Sequence, residues 1–135
     1  MNCREKLYNS ENVSELLKYI KHDCMKNNFD FSQNKDNNVA FDKEFHLTEQ
    51  DKKHMLMSLT EKDFIKSEMS NKEKYNRNIV HIFKKKFFVK NNIGEKEIIS
   101  VYFKLRIKNN ENFRSYVISL HESAYERKRR LANNK

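Results

Sequence analysis

EIISVYFKLRI, from Glu97 to Ile107, alternates strictly: Ile99, Val101, Phe103, Leu105 and Ile107 share one side, and Ser100, Tyr102, Lys104 and Arg106 the other. A period of two is the pattern of a strand with one face in a core and one in water. RSYVISLH, from Arg114 to His121, repeats it, with Tyr116, Ile118 and Leu120 expected on one face and Val117, Ser119 and His121 on the other. The outward sides of the two runs gather a phenol, an ammonium, a guanidinium and an imidazole. Those groups suit gripping a phosphate and moving a proton.

Upstream, NIVHIFKKKFFVK alternates Ile79, His81 and Phe83 against Val80 and Ile82, then carries the basic run Lys84, Lys85, Lys86. Asn91-Asn92-Ile93-Gly94 is a turn signal. Strands at 79–89, 97–107 and 114–121 would then follow one another as an antiparallel meander. Before them, Val13, Leu16, Leu17, Ile20 and Cys24 give a helical apolar stripe within 10–27, with Asn12 and Glu15 as its expected cap pair. The stretch 27–46 is polar and reads as a long loop or weak strand pieces pinned by Phe29, Phe31, Val39, Phe41 and Phe45. Thr48 with Asp51, and Thr60 with Asp63, are capping signatures for two further helices, the second containing Phe64 and Ile65. Residues 70–77 read as a polar connector, and 122–135 as a basic tail, either helical or frayed. The expected fold is one α+β domain over 1–135, its N-terminal helices packed on one face of a C-terminal antiparallel sheet.

The chain has 135 residues with a net charge of +9, enough length for a core without disulfide or metal and enough charge to steer toward polyanions. Eighteen asparagines against one glycine and no proline imply that asparagine takes the left-handed turn positions. Cys3 and Cys24 form no metal or redox motif, and no apolar run is long enough for a membrane span or a secretory signal. A cytoplasmic protein with no membrane partner is expected.

Chemistry narrows next. One glycine precludes a glycine-rich phosphate loop, and no metal-binding motif is present, so no cofactor or metal is expected. The residues suited to metal-free phosphodiester cleavage are His121, His81, Lys66, Tyr102, Lys104 and Arg106. Such cleavage needs a base for the 2′-hydroxyl, an acid for the leaving 5′-oxygen and a cation for the transition state. His121 is a general acid or base, or a strand-end histidine bonded to a turn. His81 is a packed histidine or a catalytic one. Tyr102 either packs or contacts phosphate and base, and Lys104 and Arg106 either solvate or bind RNA, as do Lys84 and Lys86. Lys66, on a helix by this pattern, reads as a solvated lysine.

LTEKDFIKS, Leu59 to Ser67, resembles the "L-[ST]-x-x-D-F-x-K-S" block of the MqsR family of toxin–antitoxin toxins. Val101-Tyr102-Phe103-Lys104-Leu105 and Val117-Ile118-Ser119-Leu120-His121 follow in the order of that family's later strands. The resemblance spans roughly 46–121. It implies a RelE-like fold, an endoribonuclease acting on messenger RNA, and a cognate antitoxin protein as partner. By the same resemblance Lys66 is the catalytic lysine, Tyr102 the catalytic tyrosine, and His121 sits at a basic position of the closing strand. His81 lies at or beside the family's glutamine. The alternative is a non-catalytic, basic nucleic-acid-binding regulator.

Overall fold

A computed structural model of the chain describes residues 6–31, 36–70, 78–91, 93–108 and 114–133. The elements in order are α1 (Val13–Met25), β1 (Phe29–Phe31), α2 (Asp36–Phe45), α3 (Glu49–Met57), a 3₁₀ turn (Glu61–Asp63), β2 (Phe64–Ser70), β3 (Asn78–Lys90), β4 (Lys96–Arg106), β5 (Ser115–His121) and α4 (Ala124–Asn133). The architecture is α+β, with a five-stranded sheet in the order β1-β5-β4-β3-β2. Strands β3, β4 and β5 pair antiparallel as expected, β2 adds an unforeseen antiparallel strand beside β3, and β1 joins β5 in parallel, so the sheet is mixed. Long-range bonds hold β1 and α1 to the start of β5. Arg114 Nη2 donates to the Phe29 carbonyl at 2.8 Å, and the Ser115 hydroxyl donates to buried Asp23 Oδ2 at 2.7 Å.

The inner face of the sheet is the core. Phe83, Ile99, Val101, Phe103, Leu105, Val117 and Leu120 pack there against Val13, Leu16, Ile20, Phe41, Phe45, Met55 and Leu56 of the helices. The β4 alternation holds at every position. In β5 it does not: a register irregularity opposite Lys104 and Leu105 pairs Val117 with Leu105 and Tyr116 with Arg106. An extra residue exchanges the faces of whatever lies beyond it. Val117 is therefore buried and Tyr116 is on the outer face at 41% exposed, the reverse of the strict alternation, whereas Ser119 and His121 stay outward.

Other differences have local causes. The stretch 27–46 holds an expected strand piece, β1, and an unforeseen ten-residue helix, α2. Phe41 and Phe45, four apart, meet edge-on at 5.2 Å and bury that helix's apolar side. Thr48 and Asp51 form the expected capping box on α3. Thr60 and Asp63 open only a 3₁₀ turn, because Phe64 leaves it in extended conformation and packs edge-on against Phe83 across β2 and β3. Lys66 is thus a strand residue, not a helical one. Asn12 is the N-cap residue of α1, but its Oδ1 accepts from the Asn9 amide, and Glu15 turns to Lys6 and Tyr19 instead. Asn27 (φ 55°) and His46 (φ 52°) take left-handed positions after α1 and α2. Asn28 N then reaches Asp23 O and Leu47 N reaches Asp42 O, the helix-closing bond that glycine usually permits.

The tail is helical. Ser123 caps it, its hydroxyl accepting from the Glu126 amide at 3.1 Å. Arg130 fastens α4 to the body, at 2.6 Å from Glu44, 3.1 Å from Glu97 and 2.8 Å from Glu122, with its guanidinium 5.2 Å from the Phe45 ring. The connector beyond Ser70, the link at 109–113, Asn92 and Cys3 lie outside the described residues. No helix among the described residues is long and apolar enough to cross a membrane.

Candidate functional site

Cross-strand register builds the site. Tyr102 of β4 faces His121 of β5 on one side and Lys84 of β3 on the other. Directly opposed residues on one face have Cβ atoms about 5 Å apart, so phenol, imidazole and ammonium form one row across the outer face. Lys84 Nζ lies 4.9 Å from the centre of the Tyr102 ring. Glu126 reaches from the first turn of α4 to the same ammonium, at 2.8 Å. The hydrogen bond to Glu126, then that to Tyr102, raises the Lys84 pKa and keeps the group charged. Glu126 Oε2 is buried with no hydrogen-bond partner among the described residues.

His121 is partly buried, and its Nδ1 bonds to the Glu122 carbonyl oxygen. A carbonyl only accepts, so Nδ1 carries the proton. In the neutral ring the lone pair is then on Nε2, the nitrogen a general base needs.

The next row holds Ser119, Lys104, Ile82 and Lys66, in that order across β5, β4, β3 and β2. Arg106 follows Lys104 on β4, opposite Tyr116. Among the described residues neither Lys104 nor Arg106 has an ion-pair partner. Lys66 shares this face, but two strand spacings, about 10 Å, separate it from Lys104. It pairs with Glu68 at 3.0 Å and is 56% exposed at its side chain. The basic run divides by pleat: Lys84 and Lys86 face outward, while Lys85 turns inward to the Ser58 carbonyl at 2.5 Å and to Asp63 at 3.5 Å.

His81 is not part of this cluster. It pairs with Leu105, on the helix side of the sheet, and is fully buried. Its Nδ1 shares a hydrogen bond of 2.7 Å with the Ser67 hydroxyl, and the Tyr8 ring meets it edge-on at 5.4 Å. Burial pulls its pKa from 6.5 down to about 4. A neutral, enclosed imidazole cannot serve a phosphate on the opposite face.

Glu126 and Arg130 escaped the sequence reading. Ser123-Ala124-Tyr125-Glu126 has the spacing of a capping box and marks the start of α4, but nothing in it says that Glu126 reaches Lys84. Glu126 spends its carboxylate on Lys84 rather than on the cap.

The fold and site define an α+β protein whose outer sheet face carries the row His121, Tyr102 and Lys84 within a basic surround. No family model, no curated protein and no solved structure matches the chain.

Proposed function

We propose that the chain is a metal-independent endoribonuclease that cleaves single-stranded messenger RNA. In this proposal it is the toxin of a toxin–antitoxin pair of the MqsR kind, with a RelE-like fold and a cognate antitoxin as partner. The observation that carries the proposal is the outer-face row His121–Tyr102–Lys84, with Lys104 and Arg106 beside it. The order of the LTEKDFIKS, VYFKL and VISLH blocks supports it.

These groups divide the reaction among them. His121 Nε2 takes the proton of a ribose 2′-hydroxyl. The 2′-oxygen forms a bond to phosphorus, and the bond from phosphorus to the 5′-oxygen breaks. The Tyr102 hydroxyl, beside the Lys84 ammonium, gives its proton to that departing oxygen. Lys104 and Arg106 take the charge that grows on the phosphate oxygens. The products are a 2′,3′-cyclic phosphate and a 5′-hydroxyl. Lys66, the catalytic lysine by resemblance, acts in this scheme from the next row, once RNA phosphate displaces Glu68 from its ammonium.

Incubating the protein with a long single-stranded RNA, beside Lys104→Ala and Lys66→Ala, tests these assignments. Each of the two is expected to lose about 10²-fold or more in rate while remaining folded. Full activity in both would remove Lys104 and Lys66 from the mechanism. RNA binding without any cleavage would favour the non-catalytic regulator instead.

A further inference from the structure

The outer face runs on past the His121–Tyr102–Lys84 row. Along β3 and β4 the next rung is Lys86 opposite Ser100, and the one after it Phe88 opposite Ile98. Each rung lies about 6.8 Å farther along the strands. Glu126, Arg129 and Arg130 of helix α4 border the rung of Lys86 and Ser100. The space between is a cleft of about 500 Å³ whose walls include Lys86, Ile98, Ser100, Glu126, Arg129 and Arg130.

The charges in this cleft are not equivalent. Glu126 is held by Lys84, and Arg130 by Glu44, Glu97 and Glu122. Lys86 and Arg129 are exposed and have no ion-pair partner among the described residues. Ile98, in the cleft wall, is 57% exposed, and Phe88, its cross-strand neighbour on the same face, is 77% exposed, while Phe87 and Val89, on the other face, pack on the core. An aromatic ring left in water beside two unpaired cations is the combination that holds single-stranded nucleic acid. The ring stacks on any base, and the cations track the phosphates.

We propose that the cleft between α4 and the outer face of β3–β4 seats an RNA nucleotide flanking the reacting phosphate, its base on the Phe88 ring and its phosphate between Lys86 and Arg129. The adjacency to a reacting phosphate rests on the ribonuclease reading; the nucleotide site itself is tested without cleavage. It makes α4 a wall of the RNA path rather than a tail.

The test uses the full chain and a short fluorescent 2′-O-methyl RNA, which lacks the attacking hydroxyl, with binding read by anisotropy over a range of salt. Phe88→Ala is expected to weaken binding roughly 5- to 150-fold, and Phe88→Trp to retain it. The paired change Lys86→Ala with Arg129→Ala should flatten the slope of log affinity against log salt by about 0.7 for each phosphate that is no longer neutralised. Lys18→Ala with Lys21→Ala removes the same charge from the exposed side of α1 and should leave the slope unchanged.

Unaltered affinity in Phe88→Ala would overturn the proposal and leave the ribonuclease reading standing. So would a Phe88→Ala that lost self-association in sedimentation while binding RNA normally, since Phe88 and Ile98 would then be a contact between copies. Stacking through Phe88 in a protein that never cuts unmodified RNA would sink the ribonuclease reading and keep the cleft.

Discussion

Lowering the pH from 7 toward 4 should destabilise this protein in part through His81. Its ring is enclosed by the sheet, Ser67 and Tyr8, and Nε2 has no hydrogen-bond partner among the described residues. Folding holds it neutral, with a pKa lowered by burial from 6.5 to about 4. Between those two values the unfolded chain binds a proton that the folded chain refuses. Stability must therefore rise with pH across that window and fall as the medium is acidified through it. Each pH unit is worth at most about 1.4 kcal/mol, so the whole window amounts to roughly 3 kcal/mol. That is a large part of the 5–15 kcal/mol by which domains are usually stable. Urea unfolding at fixed pH values from 7.5 to 4 reads it directly. The curve of His81→Asn, subtracted from that of wild type, isolates this part: asparagine keeps an acceptor for Ser67 and has no proton to take up. The variant should begin less stable and lose roughly 3 kcal/mol less on acidification. Parallel curves for the two proteins would refute the burial of a neutral His81.

Two further outcomes concern parts of the fold that frame the site. Arg130→Ala leaves Glu44, Glu97 and Glu122 facing one another without their cation, which should cost roughly 3 kcal/mol and expose α4 to limited proteolysis while the sheet survives. An α4 as protected as in wild type would place its anchor elsewhere. Cys24 is buried, and burial first, with Asp23 adding, pushes its thiol up to about 12. Alkylation mapped by mass spectrometry at pH 8 should leave Cys24 unmodified until denaturant is added. Labelling at the rate of a free thiol would contradict its place in the core.

The β4 alternation was legible because both faces declare themselves: five apolar side chains inward, polar and charged ones outward. The same reasoning misassigned the first half of β5. A bulge is a property of a strand pair, and nothing in RSYVISLH announces the extra residue that brings Tyr116 outward beside Arg106. Lys66 shows the limit of capping signals. Thr60 and Asp63 start a turn, but Phe64 finds Phe83 across a strand, and that contact, nonlocal in sequence, decides for β2. His81 is subtler still. The alternation put it on the same side as Phe83, and Phe83 is core, so its burial was readable; the search for a catalytic group and the family resemblance argued otherwise. The pairing of Tyr102 with His121 required the register of β4 on β5, which residue types alone do not give. Glu126 required knowing that α4 brings its first turn to Lys84 on the outer face.

The most direct measurement is incubation of the purified protein with a long single-stranded RNA in EDTA, beside Tyr102→Phe and His121→Ala. Wild type should cut the RNA and leave 2′,3′-cyclic phosphate ends, and each variant, folded by circular dichroism, should lose about 10²–10⁴-fold in rate. Cleavage that persists undiminished in both variants, or that demands added divalent metal, would contradict the outer-face Tyr102–His121 pair as the reacting centre.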